Sequence, residues 1–134
     1  MSIEFPLLTK DTPFGTISDP KIPISVRTRA GYRTFRFLMD TGADFALAPA
    51  RLAEQVGLDW NRLPETGVTG VEQGGLGARL GDLPLRVGAV EVTVRCLFVR
   101  TGKPLFILGR ADFLDHFVLT IDQPQRRIIL SPNP

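Results

Sequence analysis

The chain has 134 residues, 43% of them hydrophobic and 22% charged, with a formal net charge of +2 at pH 7. This length and composition are typical of one globular domain. Because Cys96 is the only cysteine, the sequence excludes an intrachain disulfide and a cysteine-based metal site. His116 is the only histidine, which excludes the histidine pair of a zinc protease within one chain.

In chain order, the first elements predicted are an arm and a hairpin. Residues 1–20 contain three prolines and little periodicity, which indicates an N-terminal extended arm or edge strand before a domain at residues 21–134. From Ile22 to Arg27 apolar and polar residues alternate, and Tyr32 to Met39 form a returning strand. The two strands predict a β-hairpin.

A short helix and a glycine-rich segment are expected next. Pro49 precedes helical spacing from Ala50 to Val56, and Gly57 is a plausible C-terminal cap. Six glycines then fall between Gly67 and Gly81 with few large apolar residues. Such a segment cannot bury itself, which indicates a mobile or ligand-contacting loop.

The rest of the chain is again predicted to be mostly strand. A second hairpin is expected around Gly88-Ala89, and a short helix over Arg110 to Phe113. The remaining predicted strands are Leu83 to Val87, Val90 to Val99, Phe106 to Leu108, Phe117 to Asp122 and Arg127 to Leu130. The fold class expected from these elements is all-β with one or two short helices.

One motif carries most of the functional information. Asp40-Thr41-Gly42-Ala43 directly follows the apolar run that ends at Met39. An acid at the end of an apolar strand is costly to ionise unless something stabilises it, so its presence calls for a reason. An ordinary turn is the alternative reading of this motif.

Three features in this order resemble the retropepsins, the retroviral-type aspartic proteases. They are the Asp-Thr-Gly-Ala turn at residues 40–43, the glycine-rich segment, and the later Ile107-Leu108-Gly109-Arg110 run. Together they extend from about Ile22 to Leu130. The resemblance implies a retropepsin-like acid-protease fold and an aspartic endopeptidase that needs no metal or organic cofactor.

The resemblance also implies a C2 homodimer, because peptide hydrolysis by carboxylates uses two aspartates that share a proton. This chain has one such motif, so the second Asp40 must come from a second subunit. Thr41 is then expected to bond across the dimer axis. Gly42 would leave backbone amides free to point at the acid.

Further site residues follow from the same resemblance. Asp44 and Arg110 are expected to form a structural ion pair below the active site, with direct substrate contact as the alternative. The flap that closes over a peptide is expected to comprise Val68, Thr69, Gly70, Val71, Glu72, Gln73, Gly74 and Gly75. A plain flexible loop is the alternative for this segment.

Other functions are weighed against the protease. The small positive charge gives a weak lean toward polyanions, but no run of Lys or Arg reaches five, so nucleic-acid binding is not expected. No apolar run is long enough to span a membrane and no ordinary signal peptide begins the chain, so a cytoplasmic protein is expected. The rival functions are a non-catalytic dimerisation or peptide-binding module of the same fold and a processing-linked domain of a longer precursor.

Overall fold

The computed structural model describes residues 2–66, 77–100, 103 and 105–133. Within them lie one α-helix, α1 (Ala50–Val56), and two 3-10 helices, Trp60–Arg62 and Leu114–His116. The strands in chain order are β1 (Ile3–Pro6), β2 (Leu8–Thr12), β3 (Gly15–Asp19), β4 (Lys21–Thr28), β5 (Gly31–Met39), β6 (Ala46–Pro49), β7 (Glu65–Thr66), β8 (Ala78–Val87), β9 (Val90–Val99), β10 (Ile107–Leu108), β11 (Phe117–Asp122) and β12 (Arg127–Pro132).

The largest sheet has seven strands in the order β4-β5-β10-β6-β9-β8-β7. Strand β4 also pairs with β8, which brings the two ends of this sheet together. A second sheet has the order β1-β12-β11, and β2 and β3 form a separate hairpin. Residues 1–20 therefore contain the edge strand β1 and the β2–β3 hairpin.

Strand β10 lies between β5 and β6 and is the element that organises the candidate site. It runs parallel to β5, with Ile107 beside Leu38 and Leu108 beside Met39. It also pairs antiparallel with β6 through Ile107 and Leu47. The chain leaving β5 at Asp40 must therefore loop around the end of β10 before it re-enters the sheet as β6.

Both predicted hairpins and the predicted helix α1 are confirmed. Ile24 of β4 stands opposite Phe35 of β5, and the long ladder between β8 and β9 closes at Val87 and Val90. Gly57 caps α1 with φ of 98°, a left-handed conformation that glycine adopts without steric cost.

The helix predicted over Arg110 to Phe113 is wrong. These residues form turns, and a single 3-10 turn follows at Leu114–His116. The reason is Asp112, whose φ of 66° is incompatible with a right-handed helix. A local pattern of apolar residues could not reveal this backbone reversal.

The main core lies on one face of the large sheet. Its largest fully buried side chains include Phe37, Phe98 and Phe113. Cys96 belongs to the same core and is fully buried, and burial raises the pKa of its thiol. Among the described residues, no helix is long and apolar enough to cross a membrane.

Candidate active site

Asp40 is the first residue after β5, and backbone hydrogen bonds fix its position. Its N–H donates to the Leu108 carbonyl oxygen at 3.0 Å, and its own carbonyl oxygen accepts from the Ala43 N–H at 3.2 Å. The first bond ties Asp40 to β10, and the second closes the turn. The sequence folds this way because the apolar strand β5 is held in the sheet up to Met39.

The Asp40 side chain is oriented by its own turn. The Gly42 N–H donates to Asp40 Oδ1 at 2.9 Å, and a Cβ at Gly42 would lie 3.3 Å from that same oxygen. Glycine thus lets the amide approach the carboxylate without a tight contact. Asp40 is half-buried while Thr41 and Gly42 are exposed, so the turn of a single chain is open on its outer side.

Arg110 connects the turn to the segment that follows β10. Its Nη1 donates to the Thr41 carbonyl oxygen at 2.7 Å, and its Nη2 forms an ion pair with Asp44 Oδ1. The two side chains remain 45% and 74% exposed, so water weakens the charge attraction. The arrangement therefore acts mainly through its geometry, since one planar guanidinium binds both the Thr41 carbonyl oxygen and the Asp44 carboxylate.

Gly109 lets these two segments approach each other. A Cβ at Gly109 would lie 2.5 Å from the Ala43 carbonyl oxygen and 2.8 Å from that of Phe45. Beside it, the Arg110 N–H donates to the Ala43 oxygen and the Ala111 N–H to the Asp44 oxygen, both at 2.9 Å. The Asp40 turn is therefore joined through its backbone to the residues after β10.

A second ion pair joins the segment after β10 to strand β9 and was not predicted from the sequence. Asp112 Oδ2 accepts from the Arg95 backbone N–H at 3.0 Å and from Arg95 Nε at 2.8 Å, and Oδ1 accepts from Nη2 at 3.2 Å. These hydrogen bonds lower the pKa of the Asp112 carboxyl group below its ordinary value. The only sequence signal was an acid two residues after Arg110, which is too weak to identify a partner on β9.

A small apolar cluster lies on the face of the sheet opposite the main core. Leu47, Ala78 and Val99 are buried there, with Leu97 and Ile107 packed against them. Successive side chains of a strand alternate between faces.

The same alternation relates Asp40 to this face of the sheet. Phe37 and Met39 of β5 point into the main core, so Leu38 points to the other face, and Asp40, the first residue after β5, follows the Leu38 side. Leu38 stands beside Ile107, and Ile107 opposite Leu47. Asp40 therefore leaves the sheet on the side of the small apolar cluster.

The predicted flap residues, Val68 through Gly75, lie outside the described residues. The described strands on either side of the segment are β7 and β8, which pair antiparallel with Thr66 opposite Ala78 and Glu65 opposite Arg79. Arg79 also forms an ion pair with Glu65 and lies over the Trp60 ring. These contacts fix the base from which the glycine-rich segment departs.

In the part of the chain that the structure describes, no three His, Cys, Asp or Glu side chains are grouped closely enough to hold a metal ion. The arrangement at Asp40 offers instead one oriented carboxylate with exposed backbone around it. Such a group can accept or donate a proton at a bound molecule. It cannot supply both an acid and a base at the same moment.

Comparison with known proteins identifies the architecture. The structure is similar to a retropepsin-like aspartic protease from Rickettsia conorii, with a TM-score of 0.65 and 20% identity over 97% of this chain and 91% of that one. It is also similar to the retroviral protease-like domain of Ddi1 from Leishmania major, with a TM-score of 0.62 and 16% identity over 88% of this chain and 96% of that one. No family model and no curated protein matches the sequence.

Proposed function

Because the chain has the retropepsin-like fold, we propose that it is an aspartic endopeptidase whose catalytic pair consists of Asp40 from each of two subunits. The observation that carries this proposal is the geometry of the turn. Asp40 follows β5, its N–H is bonded to Leu108 of β10, and the Gly42 amide orients its carboxylate at 2.9 Å. The names of the similar structures, a protease and a protease-like domain, agree with this assignment.

The proposed reaction uses two carboxyl groups in different protonation states. Two carboxyl groups close together cannot both ionise cheaply, so one holds a proton while the other is charged. The charged group takes a proton from water, and the water oxygen attacks the scissile carbonyl carbon. The protonated group donates to the carbonyl oxygen, which gives a tetrahedral gem-diol. The C–N bond then breaks as the carboxyl group that took the proton from water passes it to the leaving amine nitrogen, and a gem-diol hydroxyl returns a proton to the other carboxylate. Hydrolysis is expected to be fastest at mildly acidic pH, where the pair shares one proton.

A second subunit is required because the chain contains one Asp-Thr-Gly motif. We place the twofold axis next to Thr41 and Gly42, which are exposed in the single chain. The Thr41 hydroxyl would bond across this axis and keep the two carboxylates in register. Asp44 and Arg110 would hold each turn in the conformation that the dimer needs.

The proposed substrate is a peptide that binds in extended form. An extended strand offers backbone groups to the protein and side chains to alternate pockets. The apolar cluster around Leu47 and Ile107 would accept aliphatic or aromatic side chains next to the scissile bond. The glycine-rich segment that includes Val68 to Gly75 would close over the peptide.

The test compares the protein with Asp40→Asn, which is nearly isosteric. Each is incubated with a mixed peptide library from about pH 4 to 7, cleavage is read by mass spectrometry, and the subunit state is measured by sedimentation. Cleavage by the parent protein alone supports the proposal. Equal cleavage by both overturns the assignment of Asp40. No cleavage by a folded dimer would favour the non-catalytic peptide-binding module.

A further inference from the structure

A second concave site lies away from Asp40, on the main-core side of the large sheet. It has a volume of about 270 Å³ and lies between the start of β5, the start of β10 and helix α1. Phe35 and Phe106 line it, and both pack against the main core. Since Asp40 follows the opposite face, this cavity is separate from the candidate active site.

The cavity combines an aromatic wall with positive charge. Phe35 and Phe106 are stacked, with ring centroids 5.2 Å apart, and both remain half-buried. Arg33 and Arg51 also line the cavity and are exposed. Within the described residues, neither arginine forms an ion pair, whereas Arg79, Arg95, Arg110 and Arg127 each have a carboxylate partner.

A buried acceptor without a donor completes the site. Gln55, on the last turn of α1, lines the same cavity. Its Oε1 is buried and has no hydrogen-bond partner in the described structure. A buried carbonyl oxygen without a donor loses the hydrogen bonds it would make to water, so a ligand N–H that meets this oxygen once the amide turns toward the cavity would recover that loss.

We propose that this cavity binds a short acidic segment of another protein, and we define the Arg33–Arg51 site as Arg33, Phe35, Arg51, Gln55 and Phe106. The carboxylate of a Glu or Asp side chain would pair with the guanidinium groups, which favour two-point contacts with carboxylates. A backbone N–H of the segment would donate to Gln55 Oε1. An adjacent apolar side chain would cover the two phenylalanine rings.

The mixed lining of the cavity favours a peptide over a nucleotide. At about 270 Å³, the cavity has room for one side chain and the neighbouring backbone of a longer chain. A peptide also supplies the acid, the N–H and the apolar group together.

The experiment measures binding directly in Asp40→Asn protein, so that cleavage does not consume the probe. The probes are a fluorescein-labelled decapeptide with two adjacent glutamates flanked by leucines and its twin with glutamines. We expect the glutamate peptide to bind at least about tenfold more tightly by fluorescence anisotropy. Adding Arg33→Gln and Arg51→Gln should abolish that preference.

Matched controls keep the result specific. Lys10→Gln with Arg62→Gln removes the same net charge from exposed positions outside this cavity and should leave binding unchanged. Gln55→Leu keeps a similar side-chain size but removes Oε1. It should weaken binding of the glutamate peptide, whose backbone N–H would lose its acceptor. Urea unfolding of every variant shows whether each is folded, and Arg51→Gln alone serves if the double variant is not.

Two results would overturn the proposal. One is equal affinity for the two peptides, or an equal loss of affinity in the cavity variant and in the charge-matched control. Either would show that binding depends only on the overall surface charge and not on this cavity. Tighter binding of a single-stranded oligonucleotide, lost with the arginines, would make it a nucleic-acid site instead. Because binding is measured without catalysis, neither result depends on whether the protein is a protease.

Discussion

Gly109 and Ala43 are in backbone contact at the centre of the candidate site, where a Cβ on Gly109 would stand 2.5 Å from the Ala43 carbonyl oxygen. This oxygen belongs to the Asp40 turn, and Gly109 directly follows β10, the strand between β5 and β6. The contact therefore determines how closely the turn approaches the residues that brace it. Any side chain at residue 109 would have to move the backbone.

We expect Gly109→Ala to destabilise the protein by about 1–3 kcal/mol, the usual cost of forcing extra atoms into a packed site. Urea unfolding measures this loss. Gly77→Ala is the matched control, because a Cβ there would meet none of the described residues within 4 Å. Equal stability of the two variants would show that the Gly109 contact is not tight in solution.

Arg110 is expected to be needed as arginine and not merely as a positive charge. Its two terminal nitrogens bind Thr41 and Asp44 separately, and lysine cannot reproduce this fork. Small displacements of a catalytic group lower rates strongly, so Arg110→Lys should reduce kcat/KM by about tenfold or more.

The control for this prediction is Arg62→Lys, an exposed arginine paired with Asp59 on the 3-10 helix. It should leave kcat/KM unchanged. Sedimentation of both variants separates a loss of chemistry from a loss of the dimer. An Arg110→Lys protein with parent activity would contradict the bracing role.

The Arg95–Asp112 pair should make the protein less stable as the pH falls. The pKa of Asp112 is lowered in the folded protein, chiefly by hydrogen bonds from Arg95. A lowered carboxyl pKa contributes stability that is fully present above the unfolded pKa, about 3.9 for Asp, and is lost as the pH falls through the folded value.

Unfolding in urea at a series of pH values from about 6 to 2 tests this sign. The parent should lose more stability on acidification than Asp112→Asn, whose side chain does not titrate. Glu54→Gln removes an exposed acid on α1, and this variant should lose as much stability on acidification as the parent does. If Asp112→Asn instead follows the parent curve, the pair does not contribute to acid sensitivity.

The elements that the sequence predicted correctly are those whose patterns are local. The hairpins of β4 with β5 and β8 with β9 alternate over much of their length and turn at Gly31 and Gly88, and α1 ends at Gly57 with left-handed backbone. The β2–β3 hairpin was missed because its residues are mostly exposed and carry no apolar alternation.

From the sequence, only the site residues that belong to recognisable motifs were predicted. The sequence singled out Asp40 with its turn, and Asp44 with Arg110, through their resemblance to a known pattern. It did not reveal the contact of Gly109 with Ala43 or the pairing of Arg95 with Asp112, because each joins segments distant along the chain. Asp112 also reverses the backbone at φ of 66°, which turned a predicted helix into turns.

Leu47 provides a test of the proposed substrate surface. It is 8% exposed in the small apolar cluster and stands opposite Ile107. Leu47→Ala should open space in this cluster. It should therefore raise kcat/KM for peptides with bulkier side chains beside the scissile bond relative to peptides with smaller ones. One or more methylene groups in an apolar pocket change discrimination by about 10- to 200-fold. Cleavage of a peptide library, read by mass spectrometry, measures the shift.

The loss of stability that accompanies Leu47→Ala needs its own control. Truncating a buried aliphatic side chain usually costs about 2–5 kcal/mol, which alone lowers activity. Val94→Ala truncates a fully buried residue of β9 in the main core, on the opposite face from the small cluster. It should lower stability and leave the side-chain preference intact. If Val94→Ala and Leu47→Ala change the side-chain preference in the same way, looser packing in general alters specificity. The small cluster around Leu47 would then not be the surface that selects the substrate.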